Sequence, residues 1–360
     1  MELGIIGLPT SGKTTVFNAL TRSNHPTAAA SMGKMELHRA IVEVPDERVD
    51  RLSALFKPRK TTYAKVTYLD IAGLDKGISA SGISGQLRNQ IATVDAFVHV
   101  VRAFESDLVP HPLESVDPQR DLDLLHSEML LVDLISVTNR LERIAEGLQK
   151  GARGEERARF VDEEALFTRL REALEIELPL RALEFTAEEQ ETLRGFGLLT
   201  LKPTLVLLNT DEENADPAEM VEYAHPQTVL LALPGKLEME IAQLSPEERA
   251  LFMEEFGIEQ SGLRRVIQTS YELLELLSFF TVSEEEVRAW TLQAGETALD
   301  AAATIHTDLA RGFIRAEVIP HDELLAAGGM SAARKAGLLR LEGKEYVVQD
   351  GDIVHIRFSV

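Results

Sequence analysis

Eight residues near the start of the chain, Gly7-Leu8-Pro9-Thr10-Ser11-Gly12-Lys13-Thr14, follow the pattern G-x-x-x-x-G-K-[ST]. The glycines of such a loop permit a backbone turn that points successive N–H groups inward at phosphate oxygens. Gly7, Pro9, Thr10, Ser11 and Gly12 shape the cradle. Lys13 is suited to neutralise the β- and γ-phosphates, the Thr14 hydroxyl to ligate magnesium, and Thr15 to reach the α-phosphate. The pattern also has its required context. A strand runs through Gly4–Ile6 before it, and a helix from Lys13 to about Arg22 follows, whose amino end adds partial positive charge. The chemistry expected is binding and hydrolysis of a nucleoside triphosphate with magnesium.

That chemistry needs a carboxylate on the metal side, at the end of a neighbouring strand. Leu69-Asp70-Ile71-Ala72-Gly73 supplies it directly after an alternating segment, Ala64–Leu69. Asp70 is the second candidate magnesium residue, and the Gly73 N–H can sense the γ-phosphate. Leu74 follows, where many GTPases place a glutamine to orient the attacking water. A leucine neither donates nor accepts a hydrogen bond, so the water must be positioned by another group.

The base is read elsewhere. GTPases commonly recognise guanine with Asn-Lys-x-Asp after a late strand, and here the strand pattern Thr204–Leu208 ends in Asn209-Thr210-Asp211-Glu212. With Glu212 replacing the aspartate, the carboxylate contact to guanine is altered. Adenine and guanine therefore both stay open as the base.

These loops must be held by strands alternating with helices. Phe97–Val101 is a further apolar strand pattern, and Asp46 can cap a helix running to about Phe56. Such alternation predicts an α/β fold with a mainly parallel sheet covered on both faces. Between the strands, Leu134, Val137, Leu141, Ile144 and Leu148 step by three and four. Gly151 and Gly154 interrupt them, and Phe167, Leu170, Leu174 and Leu178 resume the stepping up to Pro179. The spacing predicts an inserted antiparallel helical hairpin. Near the end, Tyr346–Val348 and Ile353–Phe358 flank Asp350-Gly351, a strong hairpin signal. The last eighty or so residues are expected to form a small α+β domain. The organisation predicted is a P-loop domain over 1–117 and 201–278, an insertion over 118–200, and a C-terminal domain over 279–360.

Composition narrows the class. The 360 residues contain no cysteine, which excludes disulfides, thiolate metal sites and thiol nucleophiles. No apolar run approaches the ~20 residues that span a bilayer, and no secretory signal opens the chain, so a cytoplasmic protein without membrane contact is expected. A formal net charge of -22 argues against wrapping nucleic acid, DNA included, over the whole surface. From Ala301 onward seven basic residues stand against eight acidic ones, so that near-neutral tail is the better place for any RNA contact.

In these motifs the chain resembles the YchF ATPases of the Obg-related GTPase group. The resemblance covers nearly its whole length: Gly7-Leu8-Pro9, Asp70-Ile71-Ala72-Gly73-Leu74, Val94-Asp95-Ala96 leading to Val100-Val101-Arg102, and Leu201-Lys202-Pro203 before Asn209-Thr210-Asp211-Glu212. It is closest in the tail, from Ile305-His306-Thr307-Asp308 through Arg315-Ala316-Glu317-Val318 to Gln349-Asp350-Gly351-Asp352, which is similar to the family's TGS domain, a β-grasp module. The resemblance implies slow ATP hydrolysis, with ATP preferred over GTP through Asn209 and Glu212. It also implies association with ribosomes or ribosomal RNA, the TGS domain being the favoured contact. It carries the catalytic histidine of the loop after the strand matching Phe97–Val101 onto His111, in Val109-Pro110-His111-Pro112. The chain departs from the family where a switch threonine is expected and Lys34 stands. It departs again where the loop that backs the base reads only Pro234-Gly235-Lys236, leaving Gly235 as the base-side candidate.

Overall fold

The structure is a computed structural model that describes residues 1–25, 37–71, 85–212, 215–258 and 260–359. They fall into two compact units, Met1–Ala40 with Thr67–Leu263, and Ile41–Val66 with Arg264–Val360. The amino-terminal part runs β1 (Glu2–Ile6), α1 (Lys13–Thr21), β2 (Leu37–Glu43), α2 (Glu47–Phe56), β3 (Lys60–Thr62), β4 (Lys65–Ile71), α3 (Gly85–Ala92) and β5 (Ala96–Ala103). The middle runs α4 (Pro118–Gln149), α5 (Gly154–Glu175), α6 (Ala187–Leu193), β6 (Thr204–Thr210), α7 (Pro217–Met220), β7 (Thr228–Leu233), α8 (Gly235–Gln243) and α9 (Pro246–Glu255). The rest is α10 (Gly262–Leu273), β8 (Leu276–Val282), β9 (Glu286–Gln293), α11 (Ala298–Ile305), α12 (Thr307–Arg311), β10 (Phe313–Pro320), α13 (His321–Ala327), α14 (Met330–Lys335), β11 (Arg340–Glu342) and β12 (Asp352–Phe358).

The first unit is built on a sheet of order β2-β4-β1-β5-β6-β7, in which β4, β1, β5, β6 and β7 are parallel. Parallel strands covered on both faces read as continuous apolar runs, and β1, β5 and β6 are buried along nearly their whole length. Leu122, Leu125 and Met129 of α4 pack with Phe97 and Val101 of β5, while α1 packs beside α8. From β1 the strands β4 and β2 lie to one side and β5, β6 and β7 to the other. The carboxyl ends of β1 and β5 thus flank the point where strand order reverses, the place where open α/β sheets bind ligands.

The inserted helices follow the apolar stepping. Asp117 caps α4, its side chain accepting from the Arg120 N–H, with Pro118 at the first helical position. Leu130 and Val137 of α4 join Leu166, Phe167, Leu170 and Leu174 of α5 in one cluster. Gly151, with φ 89°, supplies the left-handed residue at which the first helix stops.

The second unit holds a sheet of order β11-β10-β12-β8-β9-β3. Its core gathers Phe279, Leu292, Ala298, Ala301, Val318, Val354 and Ile356. Residues 41–66 belong to it: β3 pairs in parallel with β9, and Arg48 of α2 bonds Asp350 at 2.5 Å while its guanidinium lies over Phe280. The hairpin expected around Asp350-Gly351 does not form. β12 pairs with β10 and β8, and of residues 346–348 only Val347 makes a bridge, to Thr297. The turn is consumed by β8 instead. Asp350 Oδ1 accepts from the Ser278 N–H at 2.9 Å, and the Gly351 N–H donates to the Ser278 carbonyl at 2.8 Å. Among the described residues, no helix is long and apolar enough to cross a membrane.

Candidate nucleotide site

The loop 7–12 connects β1 directly to α1. Gly7 has φ 153° and a Cβ there would collide with the Val100 carbonyl, so the loop and β5 approach too closely for a side chain. Gly12, at φ 95°, is held against the Asn209 side chain in the same way. Between them Thr10 takes φ 61°, a left-handed position for a residue other than glycine. The amino end of α1 has neither a side-chain cap nor an acidic residue in its first turn, whereas Asp46 and Asp117 cap α2 and α4. Its first N–H groups and their partial positive charge therefore face the loop, as anion binding requires.

Lys13 folds back over this cradle, its ammonium donating to the carbonyls of Gly7 at 3.0 Å and Leu8 at 2.8 Å. Thr14 Oγ1 donates to Asp70 Oδ2 at 2.9 Å. The parallel register that pairs Ile5 with Asp70 explains this: it sets Asp70 level with the last turn of β1. Asp70 lies inside β4 rather than after it, as does Asn209 at the end of β6. A hydroxyl and a carboxylate side by side form an oxygen-only donor pair. That is the chemistry by which magnesium is bound beside phosphates, so the residues present fit the ion. Thr15 is half-buried in the first turn of α1.

Asn209 is committed at both ends of its carboxamide. Nδ2 donates to the Ser11 carbonyl at 2.9 Å, and Oδ1 accepts from the Gly235 N–H at 3.1 Å. It pins the phosphate loop to the start of α8, and Gly235 leaves no room for a Cβ beside it. Glu212 is exposed beyond β6, and its carbonyl accepts from Thr210 Oγ1 at 2.8 Å. Gly73, Leu74 and Lys34 lie outside the described residues. Pro9, Thr10 and Ser11 complete the loop, and buried Ser11 Oγ has no hydrogen-bond partner among the described residues.

His111 sits on the segment 104–117 between β5 and α4, and it is buried rather than displayed. Its Nε2 lies 2.7 Å from Asp121 Oδ2 in the first turn of α4, and its Nδ1 accepts from the Leu113 N–H at 3.1 Å. Leu8, Pro9, Ser11, His99, His111 and Asp121 share one narrow crevice beside the phosphate loop. Burial, with His126 and Lys13 nearby, pushes the His99 imidazole down to about 3.

Arg102, which the resemblance includes without a role, is a further functional candidate. It is buried at the end of β5, where it stacks on Phe104 and donates to Thr10 Oγ1 at 3.2 Å, the Phe104 carbonyl at 3.1 Å and the Val109 carbonyl at 2.8 Å. It ties the phosphate loop to the His111 segment, and burial lowers its guanidinium from the ordinary range. The available signal was the motif Val100-Val101-Arg102, with an arginine closing a strand whose only other polar side chain is His99. Asp121 left no such signal, because capping acids are common in first helical turns.

Comparison with known proteins agrees with this architecture. A family profile described as "50S ribosome-binding GTPase" matches residues 2–140, and the YchF-GTPase C-terminal profile, described as a protein of unknown function (DUF933), matches residues 276–359. The chain is 43% identical to the "Ribosome-binding ATPase YchF" of Bacillus subtilis, covering 100% of both chains. It is 38% identical to the protein of that name from Escherichia coli O157:H7, covering 100% of this chain and 99% of that one. A solved structure of the Schizosaccharomyces pombe YchF GTPase superposes with a TM-score of 0.84 at 32% identity, over 99% of this chain and 97% of that chain.

Proposed function

The chain belongs to the YchF family of P-loop nucleotide hydrolases, and from that premise we propose that it is an ATP-hydrolysing switch that reports its nucleotide state to the ribosome. The observation that carries the reading is the assembled phosphate cradle, with Lys13 over the loop, Thr14 against Asp70 and the end of α1 left uncapped. The relatives' printed names, ribosome-binding ATPase, supply the partner and the base. A cytoplasmic location follows from that partner.

In this reading Lys13 and the N–H groups of the loop balance the phosphate charge, and Thr14 and Asp70 hold magnesium. Held by those two residues, magnesium would supply positive charge that offsets the charge building on the leaving group. His111 accepts a proton from water as the water oxygen bonds the γ-phosphorus and the bond to the β-phosphate oxygen breaks. Asn209 sets the floor of the base pocket through Ser11 and Gly235, and Glu212 selects the base, with adenine preferred. The division into a P-loop domain, a helical insertion over 118–200 and a TGS-type β-grasp over 279–360 assigns the ribosomal contact to the last. The segments read as nucleotide-sensing loops, around 27–45 and 74–86, lie largely outside the described residues.

Competition of ATP and GTP for a fluorescent ATP analogue tests the assignment. Tighter ATP binding supports it, and GTP preference would move it to a GTPase. The closed state of His111 favours a second reading, a nucleotide sensor with negligible hydrolysis. Single-turnover hydrolysis separates the two, since a sensor leaves bound ATP intact.

A further inference from the structure

We propose that Asp121 is a positioning residue that holds His111 out of action, so that release of segment 104–117, rather than chemistry at the phosphate loop, sets turnover. The inference rests on the catalytic reading of His111. The Leu113 N–H donates to Nδ1, which fixes that nitrogen as acceptor and places the ring proton on Nε2, where it is donated to Asp121 Oδ2. Neither nitrogen keeps a lone pair for water, and a general base needs one. With side-chain exposures of 2% for His111 and 3% for Asp121, solvent does not reach the pair.

Two clamps hold the segment around it. Arg120 donates to Asp121 Oδ1 through Nε at 3.0 Å and Nη2 at 2.7 Å, and to Ser115 through its hydroxyl at 3.0 Å and carbonyl at 2.8 Å. On the other flank Arg102 joins the Val109 carbonyl to Thr10 of the phosphate loop. Packing contributes little, because Leu108, Val109 and Leu113 are all exposed, Leu108 to 93%. Glu114 adds a left-handed backbone at φ 67°, an unfavourable conformation for that residue. A segment closed by a few polar contacts over little buried apolar area opens at low cost. Its two anchors are the phosphate loop, through Arg102 and Thr10, and the first turn of α4, through Asp121, so nucleotide bound at the loop acts on the same closure.

The test compares the full-length chain with Asp121→Asn, His111→Ala and the double variant, by phosphate release from ATP with magnesium and by amide exchange over 109–115. Asp121→Asn is expected to raise kcat roughly tenfold, as for a charge-assisted hydrogen bond weakened to a neutral one. KM should stay within about twofold, set by phosphate-loop contacts that the latch leaves intact. Exchange over 109–115 should quicken, and the gain in kcat should vanish in the double variant. A kcat at or below wild type in Asp121→Asn, unchanged exchange, or a gain that survives in the double variant overturns the proposal. If His111→Ala turns over like wild type, the catalytic reading fails and takes the latch with it. If His111→Ala is slow while Asp121→Asn is no faster, the latch alone fails. Should Asp121→Asn not fold, Arg120→Gln opens the same clamp and is read by the same outcomes.

Discussion

The phosphate loop and the His111 segment lie side by side, yet they are held by opposite means. The loop is fixed by backbone: glycines too close to β5 and Asn209 to carry side chains, and a carboxamide pinning Ser11 to Gly235. The segment is fixed by side chains, Arg102 on one flank and Asp121 with Arg120 on the other. A binding site gains from being preorganised, whereas a group that must act only on demand gains from a closure made of few, separable contacts. On the proposed function, the first half is built to bind and the second to wait.

The strongest way to break the contrast is Gly12→Ala. Its Cβ would meet the Asn209 side chain in a left-handed backbone position, so nucleotide binding should be lost with a stability cost of about 2–4 kcal/mol. Thermal melts and analogue titration read both. Asn209→Ala comes next. It leaves the Ser11 carbonyl and Gly235 N–H without their buried partner, at about 1–3 kcal/mol for each, and should weaken ATP binding while the fold survives.

Acid acts on histidines of the same unit. Burial lowers His126 to about 4, with Arg181 and His225 adding to the effect, and His99 lies at about 3. A histidine whose folded pKa is depressed contributes stability that is present above its unfolded value of about 6.5. That stability drains away as pH falls from there toward 4. The melting temperature should therefore drop over that window, and His126→Gln should flatten the drop by an amount on the order of 1–3 kcal/mol. The smallest effect sharpens the other half. Glu114→Asn eases the left-handed position and should steady the closed segment by about 0.5 kcal/mol, lowering turnover roughly twofold.

The same contrast explains what could be read without a structure. Gly7, Lys13, Thr14 and Asp70 obey local patterns, a loop between strand and helix and a carboxylate at a strand end, and the parallel sheet brings them together. Asn209 was legible by position but not by partner, since its bonds to Ser11 and Gly235 depend on strand register. His111 was legible as a candidate, whereas the clamp on its other flank was not: Arg102 meets Thr10 across 92 residues, and no local period encodes that pairing. In the second unit, Asp350-Gly351 signalled a hairpin on local grounds. The turn is instead claimed by Ser278 and by Arg48, 302 residues away in sequence. Long-range claims of this kind override turn propensity.

The central claim is that loop 7–14 is a preassembled triphosphate site. Calorimetric titration of ATP with magnesium into the full-length chain, repeated with Lys13→Ala, tests it most directly. The account predicts one binding site per chain, lost in the variant at a melting temperature close to wild type. Binding that persists in Lys13→Ala, or no binding by the wild-type chain, would contradict it.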